Sequence, residues 1–165
     1  MTLPRIDTLV AALKRPDSLV PLSPGAWDLL IRQARQADVL ARIGRGAQTS
    51  GVWDRLPPAP RRHLGSAMAL AARQHTELRY EVVEIARALE SIGLPVVLLK
   101  GAAYTMAGLD ASRGRMVSDV DILVPRHRLA EVESALMMGG WVSMNRDAYD
   151  QRYYRTWMHE LPPLK

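Results

Sequence analysis

The stretch "GLPVVLLKGAAY", residues 93–104, is where the sequence changes its period. Before it, apolar residues recur every three to four positions, as on one face of a helix. Gly93 then supplies a helix stop, Pro95 prevents the helix from resuming, and Val96 to Leu99 form a short apolar run of strand type. Lys100 and Gly101 follow as a turn, and the small residues after them open a short helix. Strand-like and helix-like segments alternate from there on. The expectation is an α+β chain, with an N-terminal helical region over 1–92 and a β-α-β-α-β core over 93–165 built on a short mixed sheet.

Upstream, a long helix is expected over about 61–92. Leu64, Met68, Ala71, His75, Leu78, Val82, Ile85, Leu89 and Ile92 step alternately by four and three, a heptad stripe along one face. Such a helix would be on the order of 45 Å long. The stripe has two readings, packing within the helical layer, which is preferred, and a homodimer through the long helix. His75, lying on it, reads as a core or interface histidine. "LPPAP", residues 56–60, is a break before this helix. "SPGAWDLLIRQARQADVLARIGRG", residues 23–46, reads as one helix opened by Ser23-Pro24 and closed at Gly44 and Gly46. "IDTLVAALKR" is a shorter amphipathic segment that stops at Pro16.

Downstream, "DVDILV" (119–124) is the second expected strand, "PRHRLAEVESALMMGG" (125–140) a helix, and "WVSM" (141–144) a third strand. "YDQRYYRTW" (149–157) mixes aromatics with arginine; packing on the third strand is its ordinary reading and stacking on a base its functional one.

Composition narrows the classes. No run approaches the roughly 18 apolar residues of a membrane span, and "MTLPRIDTLVAALKRPD" lacks the apolar core of a signal peptide. The absence of cysteine excludes disulfides and thiolate metal sites and fits a reducing cytoplasm. A net charge of +5 favours anionic partners. The basic residues are scattered rather than grooved, which argues against nucleic acid. No Walker A or dinucleotide fingerprint is present, and His159-Glu160 lacks the second histidine of a zincin because position 163 is proline.

The chemistry concentrates in "MVSDVDILV", residues 116–124. Residues two apart on a strand face the same way, so Asp119 and Asp121 project together while Val120, Ile122 and Val124 anchor the opposite face. Two carboxylates at the mouth of an apolar strand repel each other unless a cation lies between them. Magnesium suits one or two carboxylates together with phosphates and water. Lys100 and Gly101, about twenty residues upstream, form a turn suited to phosphate; a plain strand-to-helix turn would use glycine equally well.

Strand, Lys-Gly turn, helix and a strand opening on D-x-D resemble the nucleotidyltransferase superfamily with the DNA polymerase β-type fold. More narrowly, "VLLKGAAY" with "GRMVSDVDILVPRHRLAEVESALMMGGW" resembles the uncharacterised nucleotidyltransferases, most sharply over residues 96–141. The helical N-terminal region and "HELPPL" fit the same pattern. The resemblance implies a partial polymerase β-like core over 93–165 and magnesium-dependent transfer of NMP from an NTP. The acceptor would be a sugar, small molecule, peptide or protein, in bacterial polysaccharide or peptide-modification systems. It makes Asp119 and Asp121 the catalytic, metal-binding carboxylates. It places Lys100, Gly101 and Arg115 at the nucleotide phosphates, with Ser118 bracing the turn. Two departures stand out. Ala102 occupies the place of the superfamily's turn serine, and no residue matches the third carboxylate that the family carries beyond its HELPPL-like segment. The expectation is therefore a chain lacking its C-terminal portion, with reduced activity. Glu160 is a candidate for the missing ligand, though it sits in the wrong part of the pattern. The alternative reading is a noncatalytic nucleotide-binding or protein-interaction module.

Overall fold

One helix organises the molecule. The computed structural model describes residues 5–144, 147–158 and 160–165, and within them α4 (Pro58–Glu90) is a continuous 33-residue helix. It begins inside the proline-rich segment, earlier than the sequence led one to expect. Pro57 is its N-cap and Pro58 and Pro60 lie in the first turn, where a missing N–H and a fixed φ cost nothing. Its buried positions include Leu64, Ala71, Leu78, Val82, Ile85 and Leu89, all members of the heptad stripe. The stripe is thus used within the chain. A pairing of two copies along α4 would have to use other faces, where Tyr80 and Val83 are exposed.

Three apolar clusters follow α4 from end to end. At its N-terminal end Leu64 packs with residues of α1 (Arg5–Lys14), α2 (Pro24–Gln36) and α3 (Leu40–Thr49), including Trp27, Leu30 and Ile43. In the middle, Leu78 and Val82 meet Ala102 and Val117. Toward the C-terminus, Ile85 and Leu89 meet Val132 and Leu136. The last two residues belong to α6 (Leu129–Met138). The long helix serves both the helical layer and the region after residue 93.

The single helix expected over 23–46 is two. Ser23 Oγ accepts the Ala26 N–H at 3.3 Å and opens α2, but Asp38 adopts φ +53 and ends it. Aspartate enters the left-handed region more readily than most residues. Gly44 is a contact inside α3 rather than a stop: a Cβ there would lie 3.0 Å from Met68 Sδ, so the glycine brings α3 close against α4.

The α+β expectation is met by a small sheet. Strands β1 (Val97–Leu98) and β2 (Ile122–Leu123) pair antiparallel, Val97 opposite Leu123 and Leu98 opposite Ile122. The Leu99 N–H donates to the Asp121 carbonyl at 2.9 Å, extending the ladder by one rung. Val96, Leu98, Val120, Ile122 and Val124 pack inward. Where a mixed sheet was expected, the described strands pair antiparallel. Residues 141–144 do not join β2: Val142 and Met144 donate to the carbonyls of Lys165 and Pro163, and Ser143 bridges Leu164. After them come α7 (Ala148–Tyr153) and a π-helical turn, Tyr154–Met158. Arg155 Nη2 bonds both carboxylate oxygens of Glu133 at 2.6 and 2.8 Å and ties that segment to α6. Among the described residues, no helix is long and apolar enough to cross a membrane.

Candidate active site

The end of β1 leads directly into α5 (Lys100–Met106). Lys100 makes the turn with φ +48, a conformation that costs an L-residue roughly 1–2 kcal/mol. Its ammonium lies 3.0 Å from Asp121 Oδ2. The bond and charge of Asp121 hold the Lys100 ammonium above the usual lysine range, with weaker help from Asp119 and Glu160. Asp121 is thus in direct contact with the ammonium, while Asp119 and Glu160 act on it only through weaker charge interactions. The D-x-D face already attracts a positive charge.

The backbone explains the placement. Inward packing of Val120, Ile122 and Val124 turns the alternate residues outward. Asp119 is exposed and Asp121 half-buried. Only Ile122 and Leu123 of the expected strand 119–124 pair as a strand, so the carboxylates stand on the segment entering it. Ser118 is exposed beside Asp119.

Gly101 is buried and faces the loop before the D-x-D. A Cβ at this position would lie 3.0 Å from Val117 Cγ1 and 3.7 Å from Arg115 Nε. Its observed contact is with that loop, which only a residue without a side chain admits so closely. The Arg115 guanidinium stands 5.9 Å from the centre of the Tyr104 ring, a cation–π distance. Lys100, Gly101, Arg115 and Asp121 are thus brought together by the turn, the small helix α5 and the sheet ladder.

Two residues of the long helix reach the same loop. His75 Nε2 is 2.9 Å from the Arg115 carbonyl oxygen, and Gln74 Oε1 accepts the Val117 N–H at 3.3 Å. His75, expected to be a core or interface histidine, is half-buried and bound to the loop. The available signal was His75, a polar residue interrupting the apolar stripe near its midpoint, with Gln74 beside it. A separate cavity of about 310 Å³ lies between α2, α3 and α4, with Arg35, His63, Leu70 and Met116 among its walls. It includes neither aspartate of the D-x-D.

Asp121, ion-paired with Lys100, and Asp119 two residues before it carry hard oxygen donors, the ligand type magnesium takes. Among the described residues, no group of three or more His, Cys, Asp or Glu side chains is placed to hold a metal ion. His159, part of the "HELPPL" segment, lies outside the described residues.

No curated protein and no solved structure matches the chain. A family described as uncharacterised nucleotidyltransferase matches residues 23–161, a span that takes in α2 to α6, both strands and every residue of the site above. The chain belongs to the uncharacterised nucleotidyltransferase family.

Proposed function

We propose that this nucleotidyltransferase transfers NMP from an NTP to an acceptor hydroxyl, with Asp119 and Asp121 holding magnesium and Lys100 and Arg115 meeting the phosphates. The observation that carries the reading is the Lys100–Asp121 ion pair, with Asp119 and Glu160 adding to the field on the same ammonium. A triphosphate entering with its cation would replace that internal pairing, leaving the carboxylates to the metal and the ammonium to the phosphate oxygens. Magnesium, when bound, supplies neutralisation of phosphate charge and orientation of the phosphate oxygens.

In the reaction, the acceptor oxygen attacks the α-phosphorus in line with the bond to the bridging oxygen. The new P–O bond forms as that bond breaks, pyrophosphate departs, and the hydroxyl proton passes to water at this open site. The chain's own residues position and neutralise charge; none becomes covalently attached. Arg115, held over Tyr104 beside Gly101, presents a planar fork suited to phosphate oxygens. Ser118 braces the turn before Asp119. The acceptor is a sugar, small molecule, peptide or protein. The fold divides functionally into a helical region, 1–92, and a transfer core, 93–165.

The absence of a third metal-ligating side chain among the described residues favours a second reading, a module that binds nucleotide without turning it over. An assay with α-³²P-labelled NTPs, magnesium and a panel of acceptors separates the two. Transfer of label with release of pyrophosphate, lost in Asp119→Asn/Asp121→Asn, is the expected result. Label transfer untouched by that double substitution contradicts the proposed site, and binding without transfer favours the module.

A further inference from the structure

The loop before the D-x-D is held by the long helix at two adjacent peptide groups, forty-odd residues away in sequence. A carbonyl can only accept, so His75 Nε2 carries the proton and donates to the Arg115 oxygen at 2.9 Å. Gln74 Oε1 accepts from the Val117 N–H at 3.3 Å. The two bonds straddle Met116, one on the carbonyl before it and one on the amide after it. Rotating either backbone torsion of Met116 breaks one of them. On the other side of Arg115, its own N–H donates to the Ser112 carbonyl at 3.0 Å. Arg115 is therefore fixed through both of its backbone polar groups, and its guanidinium rests against Tyr104.

Neither side chain contributes to the hydrogen-bond ladder of α4 itself, and an apolar residue in place of His75 would suit the stripe better. Among the described residues, their side-chain hydrogen bonds go to this loop. We propose that Gln74 and His75 are positioning residues, through which the helical layer sets the direction of Arg115 and the approach to Asp119. This rests on the reading of Arg115 as a phosphate ligand given above. Other features of the molecule point less far. The groove beside Trp141 is walled by Glu77, Glu81 and Glu84, but two of these are already paired with Arg73 and Arg87.

The test uses magnesium tripolyphosphate, which presents the phosphates without a base, and the full chain. His75→Leu and Gln74→Leu are each expected to weaken its binding by about threefold to tenfold, the range of one hydrogen bond. Gln74→Glu, which keeps an acceptor oxygen at that reach, restores binding. In an Arg115→Ala background the leucine substitutions are expected to cost nothing further, an interaction that a general loss of stability would not produce. Undiminished binding in the leucine variants, or an equal loss with Arg115 absent, overturns the proposal. A wild-type chain that does not bind tripolyphosphate defeats the phosphate reading instead. The positioning is then decided by NMR: the leucine variants must lose the ring-current shift of the Arg115 side chain by Tyr104 and the exchange protection of the Val117 amide. Retention of both overturns it, and unchanged helical circular dichroism shows that each variant is folded.

Discussion

Lys100 combines a left-handed backbone with a side chain paired to Asp121. Local strain held in place by the surrounding structure is a mark of functional positions. Lys100→Gly and Lys100→Ala both lose the Asp121 ion pair, so their difference isolates the backbone: glycine escapes a penalty of roughly 1–2 kcal/mol against an unfolded-state entropy cost of about 0.5–1 kcal/mol. The glycine variant should therefore melt at or above the alanine variant, while triphosphate affinity falls in both; a glycine variant that melts clearly lower would contradict the strain. The pair also has a defined pH signature. Because Asp121 holds Lys100 above its ordinary value of 10.5, its contribution is complete below that pH and disappears as pH climbs through the raised value. The stability difference between wild type and Lys100→Met should be flat over roughly pH 6 to 9 and shrink only in more alkaline solution. Denaturant unfolding across that range checks it.

At the scale of elements, the loop between α5 and β2 is where the helical layer meets the site. Gly114 has φ +68, and a Cβ there would lie 2.8 Å from the Arg42 Cα, a backbone atom that cannot swing aside. Gly114→Ala should cost at least about 1–2 kcal/mol and weaken triphosphate binding by moving the loop off α3. Leu89, fully buried where α4 meets α6 and the sheet, is a packing position, and Leu89→Ala should cost about 2–5 kcal/mol. Both are read by chemical denaturation. The sequence patterns that proved legible were local ones. The heptad stripe marked α4 and its buried face, and the alternation Val120, Ile122, Val124 marked which way Asp119 and Asp121 turn. The break at Asp38 was not legible, since no glycine or proline marks it and Gly44 and Gly46 imitate a stop. The pairing of 142–144 with 163–165 was hidden because register between distant segments is set by tertiary contacts. The link from Gln74 and His75 to the loop spans some forty residues, and no local pattern encodes it.

Over the whole molecule, α4 joins both regions, so the site depends on the helical layer for its loop and on the sheet for its carboxylates. A net charge of +5 draws anions toward the surface in general, but the assignment to a triphosphate rests on two aspartates and one lysine. The decisive measurement is magnesium-dependent binding of the four common NTPs by calorimetry, wild type against Asp119→Asn/Asp121→Asn. The predicted result is binding of at least one NTP by the wild type that requires magnesium and weakens by about tenfold or more, some 1.4 kcal/mol, in the double variant. Equal affinity in the two proteins, or binding indifferent to magnesium, would contradict the central claim.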